Sequence, residues 1–311
     1  MKAIVVDPNA AGKLVISEVP DPTPGRSEAV IQVSAISLNR GETRSAMSAA
    51  VGARPGWDLA GVVAKAATDG SGPKEGQRVV GILSTGAWAQ LVAVPSNQIG
   101  ILPDGVTFEQ ASTLPVAGMT AYYALEKNGS VLGRKVLITG ASGGVGLFAV
   151  ELAANAGAEV TAVVRQAKYT EAVLAAGAHH VVADETAAAA AQYGPYSVVL
   201  ESVGGASLTN ALTMLAFGGM CILFGASGEG SGTVEIRRFF QAGRASLYGF
   251  GLFNEFGITP ASTGLTRMAT LVAAGKLHPH IAVSAPWTDI ASVAQRLLDR
   301  DYPGKAVLLV S

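Results

Sequence analysis

The sequence predicts an α/β protein in two parts, a β-rich barrel-like region followed by a doubly wound parallel sheet. Three observations carry this reading. The first hundred residues hold short apolar runs separated by Pro, Gly and Asp turns such as DPTPG and DGSGPKEG. From Phe108 onward, apolar strand-like runs alternate with stretches of helical period, the pattern of a parallel sheet covered on both faces. Between them in importance stands VLITGASGGVGL, residues 136–147, where a buried strand, a glycine-dense turn and a helix follow one another. A length of 311 residues allows about two domains. Hydrophobic residues at 49% against 14% charged supply a large core and exclude a disordered chain.

In chain order, residues 3–6, 13–18, 29–35, 61–66 and 78–83 read as strands, and 86–94 (GAWAQLVAV) alternates as another. Short strands at this spacing suggest a partly closed barrel. Residues 108–114 and 117–125 read as helices divided by Pro115. Then come strand 136–139, helix 147–156, strand 160–164, helix 169–176, strand 180–182, a weak alanine-rich helix, strand 197–200, helix 208–217, and strands 220–224 and 246–250. The last part reads as helix 264–274, strand 280–283, helix 290–299 and strand 306–310, a tail free to rejoin the first region.

The glycine turn has the geometry that offers backbone N–H groups and a helix N-terminus to a pyrophosphate. Gly143 lets a phosphate approach the backbone, and Gly146 lets the helix pack on its strand. The strict fingerprint has a third glycine where this chain has Ala141, which leaves Gly140 to share the turn role. A site that prefers NAD carries Asp or Glu after the next strand. Here the residues are Arg165, Gln166 and Lys168, cations that suit a 2′-phosphate and point to NADPH.

The net charge of -1 gives no case for nucleic acid or an acidic membrane. One cysteine, Cys221, excludes a disulfide framework and a multi-cysteine zinc site. The four histidines, His179, His180, His278 and His280, have no cysteine beside them, and no metal is expected. The start, MKAIVVDPNA, lacks a signal-peptide layout, and the uncharged stretch 203–228 is divided by Gly218-Gly219, so a cytoplasmic location is expected.

Several short segments together resemble the medium-chain dehydrogenase/reductase superfamily, within it the zinc-free quinone oxidoreductase group. They are Ser37-Leu38-Asn39-Arg40-Gly41-Glu42, Pro55 to Gly61 (PGWDLAG), Leu114-Pro115 with Gly118-Met119-Thr120-Ala121, Gly140 to Gly146, Gly177-Ala178-His179-His180-Val181, and Gly304-Lys305-Ala306-Val307-Leu308. The resemblance implies a GroES-like β-barrel domain over 1–113 and 281–311 and a Rossmann domain over 114–280. It places Asn39 where zinc-dependent relatives carry a cysteine ligand, and Gly56-Trp57-Asp58 where they carry Gly-His-Glu.

The same resemblance implies the site. Asn39 would lie beside the nicotinamide, with Glu42 holding Arg44 or a neighbouring loop and with Thr43 and Arg44 as substrate contacts. Thr120 would face the nicotinamide, and Ser142, Gly143, Gly144 and Val145 would hold the pyrophosphate. Arg165, Lys168 and Tyr169 would surround the adenosine 2′-phosphate. Ser202, Val203, Phe224, Gly225, Ala226 and Ser227 follow strands at their ligand-binding ends, Phe250 and Leu252 would pass near the carboxamide, and Lys305 completes the set. Trp57 and Trp88 either line a flat apolar cleft or belong to the core. The tyrosine that related enoyl reductases carry shortly after Asn39 is missing, which leaves water to supply a proton.

The expected activity is NADPH-dependent, zinc-free hydride transfer to a quinone or to the C=C of an α,β-unsaturated carbonyl compound. One or two aimed hydrogen-bond donors suffice for such chemistry. The rivals are an enoyl-thioester reductase of the same fold, with Arg237, Arg238 and Arg244 as its basic track, and a non-catalytic NADPH sensor. A homodimer is expected from the resemblance, through the sheet edge near residues 247–252.

Overall fold

The computed structural model describes residues 1–311, the side chain of Ala11 excepted. In chain order its first elements are β1 (Lys2–Val6), β2 (Leu14–Glu18), β3 (Glu28–Leu38), α1 (Arg40–Ala46), β4 (Asp58–Lys65), β5 (Arg78–Ile82), β6 (Leu91–Pro95), β7 (Ile99–Ile101), α2 (Phe108–Ser112), a π-helical turn over Leu114–Gly118 and α3 (Met119–Glu126). There follow β8 (Lys135–Ile138), α4 (Gly144–Asn155), β9 (Glu159–Val164), α5 (Thr170–Ala175), β10 (His180–Ala183), β11 (Tyr196–Glu201), α6 (Gly205–Thr213), β12 (Leu215–Leu223), α7 (Ile236–Gln241), β13 (Ser246–Gly249) and α8 (Leu252–Glu255). The chain ends with α9 (Ala261–Ala273), β14 (Ile281–Pro286), α10 (Ile290–Leu298) and β15 (Lys305–Leu309).

The chain divides into two compact units, Met1–Met119 with Phe256–Ser311, and Thr120–Glu255. In the first, β14-β15-β3-β4-β5-β7 form one sheet, with β6 pairing β3 and β1-β2 as a separate ribbon. The eleven residues of β3 serve three partners: β6 along Glu28–Gln32, β4 along Val30–Ser37 and β15 along Ala35–Leu38. The returning tail therefore extends one end of this sheet, with β15 on β3 and β14 outermost. Its core gathers Ile4, Ile31, Ile36, Leu59, Trp88 and Trp287.

The expected domain limit at 280 differs from the observed one. Residues 256–280 lie in the first unit because α9 packs on β7: a Cβ on Gly100 would stand 2.6 Å from Leu265 Cβ. Residues 114–119 also fall in the first unit.

The second unit is a parallel sheet in the order β10-β9-β8-β11-β12-β13. Numbered from its own first strand this is 3-2-1-4-5-6, the doubly wound order in which ligands bind where the winding reverses, between β8 and β11. The strands are apolar on both faces, as a covered parallel sheet requires: Val136, Leu137 and Ile138 of β8 are fully buried.

Candidate active site

In the second unit the site is built at the β8/β11 reversal. Gly140 takes φ +59°, and a Cβ there would meet Ser202 Oγ at 2.6 Å. A Cβ on Gly146 would stand 2.4 Å from Gly140 O and 2.6 Å from Ala141 Cα, so α4 can approach its strand this closely only with glycine. Gly140 thus does the tight-turn work, and alanine is tolerated at 141 because that residue is not in the left-handed region; its N–H donates to Val163 O at 3.0 Å. That bond brings the end of β9, and hence Arg165, beside the turn.

Gly143 is the N-cap of α4 and brings no side chain to it. The first-turn N–H groups of a helix have no partners within it, so here they are left for an anion. The turn, the uncapped helix and the exposed Arg165 and Lys168 fit a phosphorylated dinucleotide. The Lys168 ammonium lies 4.9 Å from the ring centroid of Tyr169.

Glu201, at the end of β11, organises the neighbouring loop. It is fully buried. Its oxygens accept from Val203 N, Gly204 N, Ser207 Oγ and Thr139 Oγ1 at 3.0–3.3 Å. Burial pushes its carboxyl above the ordinary range, against the pull of those hydrogen bonds. Ser202 is held by Thr139, its N–H donating to Oγ1 at 3.0 Å and its Oγ to the carbonyl at 3.1 Å. Ser227 N and Gly228 N then donate to Ser202 O and Val203 O, at 2.9 and 2.8 Å, which lays residues 224–228 along the loop. Phe250 and Leu252, both buried, follow β13. The residues expected to hold the cofactor in this unit therefore sit at the C-terminal ends of β8, β9, β11, β12 and β13. Thr120, in the first turn of α3, is buried. Cys221 is buried, and burial together with Glu201 raises its thiol, so it is an inert core residue.

In the first unit, Asn39 caps α1 and Glu42 returns the bond, accepting from Asn39 N at 2.8 Å. Around them is a buried polar cluster. Asn39 Nδ2 donates to Glu42 Oε1 at 2.9 Å and to Asp58 Oδ2 at 2.7 Å. Lys305 Nζ donates to Leu38 O at 2.9 Å, Asn39 Oδ1 at 2.5 Å and Asp58 Oδ2 at 3.3 Å. Asp58 also accepts from Ser37 Oγ at 2.6 Å, and from Val116 N at 3.0 Å, which fixes the π-helical turn. Burial, then the neighbouring Asp58, pushes the Glu42 carboxyl well above the ordinary range. Its Oε2 is buried without a partner.

These contacts revise several expectations. Glu42 holds Asn39, not Arg44, which stands exposed on the far side of α1. Thr43 is fully buried and its hydroxyl donates to Asn39 O at 2.8 Å, so it offers nothing to a substrate. Both N–H groups of the Asn39 amide are consumed inside the protein. Lys305 is 2% exposed, with an acceptor for each of its three N–H groups. Trp88 belongs to the core at 1% exposure. Trp57 packs over Gly41, whose Cβ would lie 3.0 Å from the indole. Asp58 and Glu201 join these clusters although neither is among the residues expected at the site. The signal for Asp58 was present as the acid of Gly56-Trp57-Asp58, next to the replaced ligand position.

Among the described residues no group of three or more His, Cys, Asp or Glu is placed to hold a metal ion. The two acids that do meet, Glu42 and Asp58, meet at the Asn39 amide, and Asp58 is paired with Lys305. No helix among the described residues is long and apolar enough to cross a membrane.

Comparison with known proteins agrees with this architecture. A family model described as alcohol dehydrogenase GroES-like domain matches residues 25–104, and one described as zinc-binding dehydrogenase matches residues 144–265. Escherichia coli quinone oxidoreductase, solved in complex with NADPH, is 25% identical, with 99% of this chain and 100% of that chain covered and a TM-score of 0.87. Human quinone oxidoreductase is 27% identical over 313 residues, 94% of this chain and 92% of its own length. A mycocerosic acid synthase-like polyketide synthase of Mycobacterium tuberculosis is 31% identical over 301 residues, 92% of this chain, but the chain spans only 14% of that protein. On fold, strand order and these matches, the chain belongs to the medium-chain dehydrogenase/reductase superfamily, in its quinone oxidoreductase-like group.

Proposed function

We propose that the protein is an NADPH-dependent, zinc-independent oxidoreductase that reduces a quinone or the C=C of a conjugated carbonyl compound. The observation that carries the reading is the β8–α4 turn with its uncapped helix and the Arg165 and Lys168 cations at the end of the adjoining strand. A quinone oxidoreductase of the same fold solved with NADPH supports it. When bound, the reduced nicotinamide supplies hydride to an electron-poor carbon.

The chain's own residues bind and orient. The backbone amides of Gly144 and Val145 and the Ser142 hydroxyl take the pyrophosphate, with Gly143, whose N–H donates to Gly140 O, leaving room for it, and Arg165 and Lys168 take the 2′-phosphate. Ser202, Val203 and the 224–227 segment are fixed by the Glu201 hub, and Thr120, Phe250 and Leu252 complete the nicotinamide end. Asn39 is assigned there on resemblance, as an acceptor. Zinc independence rests on the donor set: Asn39 stands at the cysteine position, and the neighbouring acid Asp58 is neutralised by Lys305. With Thr43 and Asn39 closed off as donors, solvent supplies the proton to the reduced substrate.

A homodimer through the β13 edge is part of the reading. Leu247 on that strand is 41% exposed, with the exposed Phe217, Ile236 and Phe240 in the same unit. The polyketide synthase relative supports a second reading, reduction of an enoyl thioester. A panel of quinones, simple enones and enoyl-CoA esters, assayed for NADPH consumption with and without a chelator, separates these. Chelator-resistant turnover of quinone or enone is expected. Activity confined to enoyl-CoA would transfer the assignment to the second reading, and loss of activity on chelation would overturn zinc independence.

A further inference from the structure

We infer that Lys305 is a positioning residue: its ammonium locks the side-chain amide of Asn39 in one orientation, so that Asn39 meets a ligand only as a hydrogen-bond acceptor. The consequence for hydride transfer rests on the proposed function; the lock itself rests on the geometry of the first unit alone.

The orientation follows from what each neighbour can do. A carboxylate oxygen facing an amide accepts, and an ammonium only donates. Asn39 has carboxyl oxygens of Glu42 and Asp58 on one side, at 2.9 and 2.7 Å, and Lys305 Nζ on the other at 2.5 Å. The nitrogen must therefore face the acids and the oxygen must face the lysine. A flipped amide would set an N–H₂ group against an ammonium and an oxygen against two acceptors.

With this arrangement both amide hydrogens are used, and Oδ1 retains one lone pair. A ligand group at that atom must be a donor, such as a ribose hydroxyl or a carboxamide N–H₂.

Lys305 is placed to do this by chain topology. It is the first residue of β15, which runs antiparallel to β3, and Ala306 stands opposite Leu38 in the register. The next residue of each strand's run is thus Lys305 against Asn39. Its three donors go to Leu38 O, Asn39 Oδ1 and Asp58 Oδ2, so the lysine is anchored by backbone on one side and by charge on the other. Asp58 in turn holds Ser37 and Val116. A lysine whose donors are all spent has no hydrogen bond left for a phosphate or a substrate oxygen, which separates this role from direct cofactor binding.

The test uses the full chain with ¹⁵N labelling. The two proton signals of the Asn39 side-chain amide, identified by their loss in Asn39→Ala, are expected to be displaced from those of the exposed asparagine amides and to exchange slowly with solvent. In Lys305→Met both signals should shift and exchange faster. The double variant Lys305→Met/Asp58→Asn removes the ion pair as a unit, so no orphan charge remains if the single variant does not fold.

In that variant, NADPH-dependent turnover is expected to fall roughly tenfold to a hundredfold, as for a misplaced contact. Binding of adenosine 2′,5′-bisphosphate, which lacks the nicotinamide, should stay within about twofold of wild type, well below a tenfold (1.4 kcal/mol) change. Unchanged Asn39 signals, unchanged turnover, or equal weakening of the bisphosphate would overturn the assignment. Wild-type protein with a responsive Asn39 amide but no turnover on any acceptor would overturn the proposed function and leave the lock standing.

Discussion

Each unit of the molecule is organised around a buried glutamate, and the two are satisfied differently. Glu201 has both oxygens occupied, by two backbone N–H groups and two hydroxyls. Glu42 has one oxygen occupied, by Asn39, and the other bare. Both carboxyls are pushed above the ordinary range, chiefly by burial. The difference shows two uses of one residue type. Glu201 shapes a loop by collecting its orphan donors. Glu42 aligns a single amide beside an acid–ammonium pair, the Asp58–Lys305 contact.

Asp58→Ala strips the partner from a buried ammonium and leaves Ser37 and Val116 without an acceptor; a loss of about 3–5 kcal/mol is expected in denaturant unfolding. Little change would mean that the cluster is not buried as described. Next, Glu201→Leu orphans Val203 N and Gly204 N and should cost roughly 2–3 kcal/mol, with weaker NADPH binding because the 202–204 loop is released.

Glu42→Gln tests the contrast more finely. The new amide oxygen still accepts from Asn39, so stability should stay within about 1 kcal/mol of wild type. The pH dependence should change. A carboxyl with a raised folded pKa contributes no penalty below its unfolded value, and destabilises progressively as pH climbs from there to the folded value. Glu42 and Glu201 should therefore each contribute a decline in melting temperature from about pH 4 upward, against the opposite contribution of the lowered Asp69, Asp184 and Glu255. Glu42→Gln should remove part of that decline, with Glu201 supplying the remainder. An identical slope in the variant would show that Glu42 ionises as freely folded as unfolded. The smallest stability effect belongs to Arg165→Asp, an exposed residue; it should leave the melting temperature unchanged and weaken NADPH about tenfold relative to NADH.

How much of this was legible beforehand differs between the units for the same reason. The nucleotide turn is local: a strand, Gly140, Gly143, Gly146 and a helix lie within a few residues, and Arg165 follows one strand later. The sheet order came from the alternation of elements. Limits were less legible. Residues 208–217 have apolar spacing throughout, yet α6 ends at Thr213 and β12 begins at Leu215, because Leu215 pairs with Tyr196. The strand expected over 86–94 is regular only from Leu91, since Ala87 to Ala89 turn inward and Ala89 bridges to Ala3. Helix α1 escaped notice because it is seven residues long and contains Gly41. The Asn39 cluster was the least legible part. Lys305 lies 266 positions from Asn39, and only the antiparallel register of β15 on β3 brings them together.

The most direct test of the central claim is a titration of the protein with NADPH and with NADH, followed by nicotinamide fluorescence. Saturable NADPH binding at least about tenfold tighter than that of NADH is expected, a difference of ~1.4 kcal/mol from the 2′-phosphate contacts. No binding of either nucleotide, or NADH bound as tightly as NADPH, would contradict it.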